Sequence, residues 1–149
     1  MAEIEFWHHH GGVSVPNLNE AIDWWREVLG FQCDTRFPIP SVPCDAAMLS
    51  NGNLNIELFE VPGAQPAPYD RSYPDRDLLA YGNKHISFAV EDVPAMAEEL
   101  KRRGADIVWV KQFEDGRANI FLRDNAGNLI EFVQQVRPQP VASTLPITG

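Results

Sequence analysis

The stretch Asn83-Lys-His-Ile-Ser-Phe-Ala-Val-Glu-Asp-Val93 decides the fold, because it is the second copy of a pattern. The first copy is His10-Gly-Gly-Val-Ser-Val-Pro-Asn-Leu18. In each copy a histidine stands five residues before a valine, and an amphipathic helix pattern that ends at a glycine follows. Each half then closes on a glutamate between apolar residues, Glu57 in the first half and Glu131 in the second. Such self-similarity predicts two copies of one structural unit.

Composition limits the classes of function. The chain has 149 residues, 44% of them hydrophobic, and a formal net charge of −9. An acidic chain of this size fits one domain and argues against a nucleic-acid partner, which would require a basic face. No apolar run reaches the length of a membrane helix, and the N-terminus lacks the features of a signal peptide. With only Cys33 and Cys44, we expect reduced thiols in a soluble cytoplasmic protein without a membrane partner.

The order of predicted elements indicates an α+β fold. Each half has the order strand, helix, strand, strand, strand, so we expect two tandem βαβββ modules whose curved mixed or antiparallel sheets surround a metal-binding cleft. A single domain, 1–149, would comprise module one (about 5–61), a linker or lid (about 62–83), module two (about 84–135) and an extended tail (136–149). The predicted elements are strands Glu5–Val15, Phe31–Phe37, Asp45–Ser50, Asn53–Val61, Lys84–Glu91, Asp106–Lys111, Ala118–Asp124 and Leu129–Gln135, with helices Leu18–Leu29 and Val93–Arg103 and a proline-rich loop 38–43.

Alternation along the predicted strands places four polar residues on one face. Apolar neighbours face the helices, so His10 and His85 fall on the opposite, concave face. The same alternation leaves Glu57 and Glu131 there. A buried carboxylate must be paired or metal-bound, and imidazole with carboxylate suits Zn, Ni, Co, Mn or Fe. A single histidine on a strand is more often a hydrogen-bonded core residue, but the matched register of all four favours a divalent metal site.

Two further histidines adjoin the first candidate ligand. His8 shares the face of His10 and could contact a substrate or support the site, whereas alternation directs His9 toward the helices. The register of the repeat alone selects His10.

The residues from 10 to 31, with Trp24-Trp25 near the middle, resemble the opening of the vicinal oxygen chelate superfamily. Asp124-Asn-Ala-Gly-Asn-Leu-Ile-Glu-Phe132 resembles its closing motif. That superfamily includes glyoxalase I, methylmalonyl-CoA epimerase, extradiol dioxygenases, fosfomycin-resistance enzymes and bleomycin-binding proteins, and the resemblance covers residues from about 5 to 135. It implies metal ligation by the four residues named above, with further metal positions left for substrate oxygens or water.

The resemblance implies a metal-dependent lyase or isomerase of glyoxalase or epimerase type, working through an enolate-like intermediate on a small-molecule substrate. Glu131 or Glu57 would move the proton at the carbon beside the polarised oxygen, with Glu131 favoured by resemblance. His-Glu-His-Glu is the ligand set of the glyoxalase I branch, whereas the epimerase branch usually has Gln at the position of Glu57. A non-haem iron ring-cleaving dioxygenase and a ligand-sequestering resistance protein are the alternatives.

One departure from the family pattern concerns the substrate. Glyoxalases of this branch commonly have an arginine four residues after the first histidine, where this chain has Ser14, and this argues against a glutathione adduct. Other arginines could supply an anion site, although surface ion pairs are the simpler account of most of them: Arg36, Arg71, Arg76, Arg117 and Arg123. Aromatic residues that would suit a larger apolar substrate are Tyr69, Tyr73, Tyr81, Phe37, Trp109 and Phe113.

The sequence also predicts an assembly. Helix Leu18–Leu29 carries Trp24 beside Trp25, which is more aromatic surface than one buried stripe requires. We therefore expect a two-fold homodimer whose interface includes strand Glu5–Val15 and its neighbouring edge.

Overall fold

The computed structural model describes residues 3–139. Module one contains β1 (Gly11–Ser14), α1 (Leu18–Leu29), β2 (Gln32–Ile39), β3 (Cys44–Asn51) and β4 (Leu54–Glu60). Between the modules lie a 3-10 turn (Tyr69–Ser72) and the short helix α2 (Pro74–Asp77). Module two contains β5 (Ile86–Val90), α3 (Val93–Arg102), β6 (Asp106–Gln112), β7 (Ala118–Arg123) and β8 (Leu129–Gln134).

Each module forms a four-stranded mixed sheet. The strand orders are β1-β4-β3-β2 and β5-β8-β7-β6, so the two sheets share one topology. The first strand of each module runs parallel to the last, and the other neighbours are antiparallel. The predicted α+β class and the two tandem βαβββ modules are confirmed.

The two long helices begin at the predicted residues, and each is preceded by a side-chain cap. The side chain of Asn17 accepts a hydrogen bond from the backbone N–H of Glu20 at 2.9 Å, and Asp92 caps α3 in the same way through Ala95. Each cap satisfies an N–H that the first turn leaves without a helical partner. Gly30 ends α1 with a φ of 71°, a left-handed conformation that glycine adopts without strain.

The hydrophobic core spans both modules. Trp25 is fully buried and packs edge-on against Phe31 at 5.1 Å, and Phe31 in turn contacts Phe88 of module two. Trp24 is half-buried and also packs on this core. The aromatic surface of α1 is therefore smaller than predicted, because its own chain buries Trp25 and covers part of Trp24.

The first strands of the two modules lie side by side. A Cβ atom added at Gly11 of β1 would come within 3.2 Å of Ile86 Cδ1 of β5. Nearby, the Asn128 side chain of module two donates a hydrogen bond to the carbonyl of Ser14 at 3.3 Å. The open edge of one sheet therefore faces the open edge of the other.

The first predicted strand is shorter than expected. Residues 3–10 form no strand and are exposed, so pairing begins at Gly11, opposite Ile56. The partner strand β4 starts at Leu54, which leaves nothing for residues before His9 to pair with in a parallel register. Alternation in the sequence cannot reveal where the partner ends.

The proline-rich loop is also shorter than predicted. Strand β2 continues through Pro38 to Ile39, and only residues 40–43 form the turn. Because β2 is the edge strand of its sheet, a residue without a backbone N–H costs no ladder hydrogen bond there.

The predicted linker, 62–83, folds against module two. Asp77 is 3% exposed and accepts a hydrogen bond from Arg71 Nε at 2.8 Å, with Lys84 Nζ 3.6 Å away. Most of the predicted tail, from residue 140 onward, lies outside the described residues, and so do residues 1 and 2. Within 3–139, none of the helices has the length and apolar character needed to cross a membrane.

Candidate metal centre

Two of the four candidate ligands lie together at the start of module one. His10 immediately precedes β1, and Glu57 lies on β4 opposite Gly12. His10 Nε2 is 2.9 Å from Glu57 Oε2, and the two side chains are 33% and 16% exposed. His10 Nδ1 is 2.6 Å from His9 Nδ1, so the ring has a polar partner on each nitrogen.

The other two candidate ligands lie together in the matching place of module two. His85 Nε2 is 3.5 Å from Glu131 Oε1, and the side chains are 26% and 15% exposed. The ring of Phe121 packs edge-on against the His85 imidazole at 4.7 Å. The repeat therefore places one imidazole beside one carboxylate in each module.

Glu131 has additional partners that the sequence analysis missed. Ser87 Oγ donates to its Oε1 at 2.8 Å, and Asn119 Nδ2 donates to its Oε2 at 3.2 Å. The indole N–H of Trp109 donates to Asn119 Oδ1 at 3.1 Å. A polar Asn119 between buried neighbours on a predicted strand was a usable signal, because alternation puts it on the same face as the glutamate.

The two pairs lie at the junction of the modules but do not meet at one point. His10 directly precedes Gly11 and His85 directly precedes Ile86, and Gly11 lies against Ile86. The two pairs therefore lie on neighbouring strands of a single chain. No cluster of three or more His, Cys, Asp or Glu side chains with metal-binding spacing occurs within residues 3–139. Joint ligation by the four residues therefore stays a prediction.

The chemistry of the four groups fits a divalent ion. Among the described residues, neither Glu57 nor Glu131 forms an ion pair with a lysine or an arginine, although both are largely buried. Two such carboxylates with only imidazole as ion-pair partner lack the compensating charge that burial requires. Two imidazoles and two carboxylates are ligands that Zn, Ni, Co, Mn and Fe accept.

The neighbouring histidines differ from the expectation for a strand. His8 and His9 are both exposed, and the ring of His9 contacts His10 instead of facing the helices. Alternation fails here because residues 3–10 form no strand. His9 is therefore the side chain that tethers His10 through Nδ1.

The arginines considered for an anion site each have a partner. Their side-chain partners are Asn19 for Arg36, Asp77 for Arg71, Asp70 for Arg76, Asp115 for Arg117 and Asp106 for Arg123. These pairs agree with the simpler account in which the guanidinium groups stabilise loops and strand ends.

The folded linker borders the open face of module two. Arg123 follows Phe121 by two residues on β7, so both side chains project from the same face. Its guanidinium lies over the Tyr73 ring at 4.6 Å and donates to the carbonyl of Ser72. The guanidinium of Arg76 lies 5.4 Å from the centre of the Tyr69 ring and 4.9 Å from the centre of the Tyr73 ring. A separate cavity of about 310 Å³ lies on the helix side and contains none of the four candidate ligands.

Comparison with known proteins agrees with this architecture. The sequence profile of the Glyoxalase/Bleomycin resistance protein/Dioxygenase superfamily matches residues 7–132. Human mitochondrial methylmalonyl-CoA epimerase is 28% identical over 134 residues, which cover 85% of this chain and 72% of that protein.

Solved structures show the same fold. A glyoxalase family protein from Enterococcus faecalis superimposes with a TM-score of 0.72 at 22% identity, over 86% of this chain and 97% of that chain. The trypanothione-dependent glyoxalase I of Leishmania major superimposes with a TM-score of 0.63 at 21% identity, over 87% of each chain. With a family profile that matches most of its length, the chain belongs to the Glyoxalase/Bleomycin resistance protein/Dioxygenase superfamily.

Proposed function

We propose that this chain is a metal-dependent lyase or isomerase of glyoxalase or epimerase type. The observation that carries the proposal is the duplicated pair: His10 beside Glu57 and His85 beside Glu131, on neighbouring strands at the junction of the modules. Membership of the superfamily and the similarity to an epimerase support it.

The two histidines and two glutamates would hold one divalent ion. When bound, the ion supplies Lewis acidity, which polarises a carbonyl or hydroxyl oxygen of the substrate and stabilises the charge of an enolate-like intermediate. His10 and His85 would ligate through Nε2, since that nitrogen faces a carboxylate in both pairs. The Nδ1 atom of His10 is already engaged by His9, which fixes the ring for such a role.

Glu131 is the residue that we assign to proton transfer. A carboxylate accepts about four hydrogen bonds, so the bonds from Ser87 and Asn119 leave a lone pair on each oxygen. Glu131 can therefore take the proton from the carbon next to the polarised oxygen and return it. Because two donors fix its orientation, little reorganisation is needed before that transfer. Glu57, with the imidazole as its partner, would serve as ligand.

The decisive experiment combines metal analysis with three assays. Purified protein should contain a first-row divalent metal and convert a thiohemiacetal or a 2-substituted acyl thioester, with metal removal by a chelator abolishing conversion and re-addition restoring it. Iron-loaded protein should consume no oxygen with catechols. Ring cleavage of a catechol would instead establish the dioxygenase, and tight ligand binding by metal-free protein without turnover would establish the sequestering protein.

A further inference from the structure

The carboxylate of Glu131 sits in a hydrogen-bonded set of side chains that extends beyond its two direct donors. We call Ser87, Asn119 and Trp109 the Glu131 cradle. The serine and the asparagine each occupy one carboxylate oxygen, and the indole holds the far end of the asparagine amide. These side chains come from three different strands of module two.

The repeat provides an internal comparison, because module one has the same strands in the same register. The positions that match the serine, the asparagine and the tryptophan are Gly12, Ala46 and Thr35. Neither glycine nor alanine has a side chain that can hydrogen-bond Glu57. A Cβ added at Gly12 would lie 3.1 Å from Phe59 Cε2, so the space that a serine would need is filled by a ring. The cradle is therefore a feature of one module.

We propose that Ser87, Asn119 and Trp109 are positioning residues that hold Glu131 in place before a ligand arrives. Glu131 is then the preformed carboxylate of the site, and Glu57, which has no matching donors, is the carboxylate that adjusts when the ion binds. This inference rests on the metal site proposed above, and it adds which carboxylate is already in place before the ion binds.

The orientation of the asparagine amide is determined by the tryptophan. An indole N–H can only donate, so its partner must be the amide oxygen, and the NH₂ group is left facing Glu131. A β-bulge between Ile107 and Trp109 turns the indole onto the open face, where it packs against Phe121 at 5.1 Å. Lys111 Nζ lies 3.6 Å from the centre of the same ring. These ring contacts hold Trp109 in place in addition to its hydrogen bond to Asn119.

The test measures the affinity of the protein for Co²⁺ alone, by calorimetry and by the absorption spectrum of the bound ion. Asn119→Ala removes the donor to Glu131, and we expect affinity to fall about tenfold to a hundredfold, the range seen when a group that orients a metal ligand is lost. Trp109→Phe keeps an aromatic ring against Phe121 but deletes the N–H, so a smaller fall is expected. Thr35→Ala, at the matching position of module one, should leave affinity within about twofold.

A second readout needs no metal. The indole N–H resonance of Trp109, assigned with Trp109→Phe, should move in Asn119→Ala, because its acceptor is gone. If Asn119→Ala proves unfolded, Trp109→Phe decides the matter through the cobalt affinity.

The outcomes separate this inference from the proposed function. Wild-type protein that takes up no cobalt would overturn the metal site and the purpose of the cradle with it. Wild-type protein that binds cobalt while folded Asn119→Ala or Trp109→Phe binds it equally well, with an unchanged spectrum, would overturn the cradle alone.

Discussion

The two halves of the candidate site share their ligands but differ in what surrounds them. Glu57 faces His10 at 2.9 Å, whereas Glu131 faces His85 at 3.5 Å and accepts hydrogen bonds from two other side chains. The residue types that could bind an ion are therefore duplicated, while the side chains that orient them are not. A repeated unit can in this way supply one rigid and one adjustable half of a single centre.

Among the substitutions that test this comparison, loss of a histidine should lower metal affinity the most. His10→Ala and His85→Ala each remove one of two imidazole ligands, so each should lower metal affinity by at least about a hundredfold, more than loss of a group that merely orients a ligand. Metal content after dialysis, measured by mass spectrometry, checks this expectation.

The matched control is His9→Ala, which removes a contact that orients His10 but removes no ligand, so it should keep the metal and lose less affinity than His10→Ala does. The register of the repeat would be the wrong guide to the ligands if His9→Ala lost the metal and His10→Ala kept it.

The two glutamates should separate ligation from proton transfer. Glu131→Gln preserves the shape of the side chain, and its amide oxygen can still accept the hydrogen bond from Asn119, so we expect some metal to remain. Exchange of the substrate's acidic proton with deuterium should fall by about a hundredfold to ten-thousandfold, the usual contribution of a general base. Glu57→Gln should retain measurable exchange. Exchange is followed by NMR in deuterated buffer. Equal and complete loss of metal in both variants would remove the support for a base.

Much of this architecture was predictable because it depends on local pattern. Caps at Asn17 and Asp92, the hairpin at Asn51-Gly52 and the burial of Val13 and Phe132 all follow from residue type and spacing. Each of these features involves residues close together in the chain or alternation along one strand. The register of the repeat selected the four candidate ligands, and their joint ligation of one ion stays a prediction.

What the sequence did not reveal depends on partners that are distant in the chain. Strand β1 begins only at Gly11 because its parallel partner β4 begins at Leu54, and no residue near Glu5 records that limit. The bulge before Trp109 inverts the alternation of β6, so the indole could not be placed on the open face from sequence alone. Trp24 was assigned to the surface for a similar reason, because its cover comes from the folded core.

The segments that precede the two modules predict the state of assembly. Before module two, Asp77 and Lys84 fasten the chain to its own fold. Before module one, Ile4, Phe6 and Trp7 have side chains 84%, 84% and 85% exposed. Adjacent apolar side chains with this exposure are typical of a subunit contact, so a two-fold homodimer is expected.

Light scattering at micromolar concentration should report a mass near twice 16.7 kDa. Replacing Phe6 and Trp7 together with serine should shift that mass to the monomer, while the matched change Tyr81→Ser in the linker should not. A monomeric wild type with full metal content would contradict the dimer and show that one chain completes its own site.

The smallest expected effect concerns the turns that join the last two strands of each module. Module one uses the neutral Gly52-Asn53 turn, whereas module two uses Asp124, which is 4% exposed. Its carboxylate accepts hydrogen bonds from the backbone N–H groups of Ala126 and Asn128, each at 2.9 Å. Burial nevertheless dominates and raises the pKa of Asp124 above its ordinary value.

A raised pKa means that the folded chain holds this proton more tightly than the unfolded chain does. The contribution of Asp124 to the free energy of unfolding is therefore fully present below the ordinary aspartate pKa of about 4 and is lost as the pH rises through the folded value. Asp124→Asn keeps the acceptor oxygen for the two N–H groups but cannot ionise. In urea titrations, the stability of wild type minus that of Asp124→Asn should decline with pH over this window, since other carboxylates cancel in the difference. A difference that stays constant, or rises, would mean that the hydrogen bonds outweigh burial and that the two turns are electrostatically equivalent.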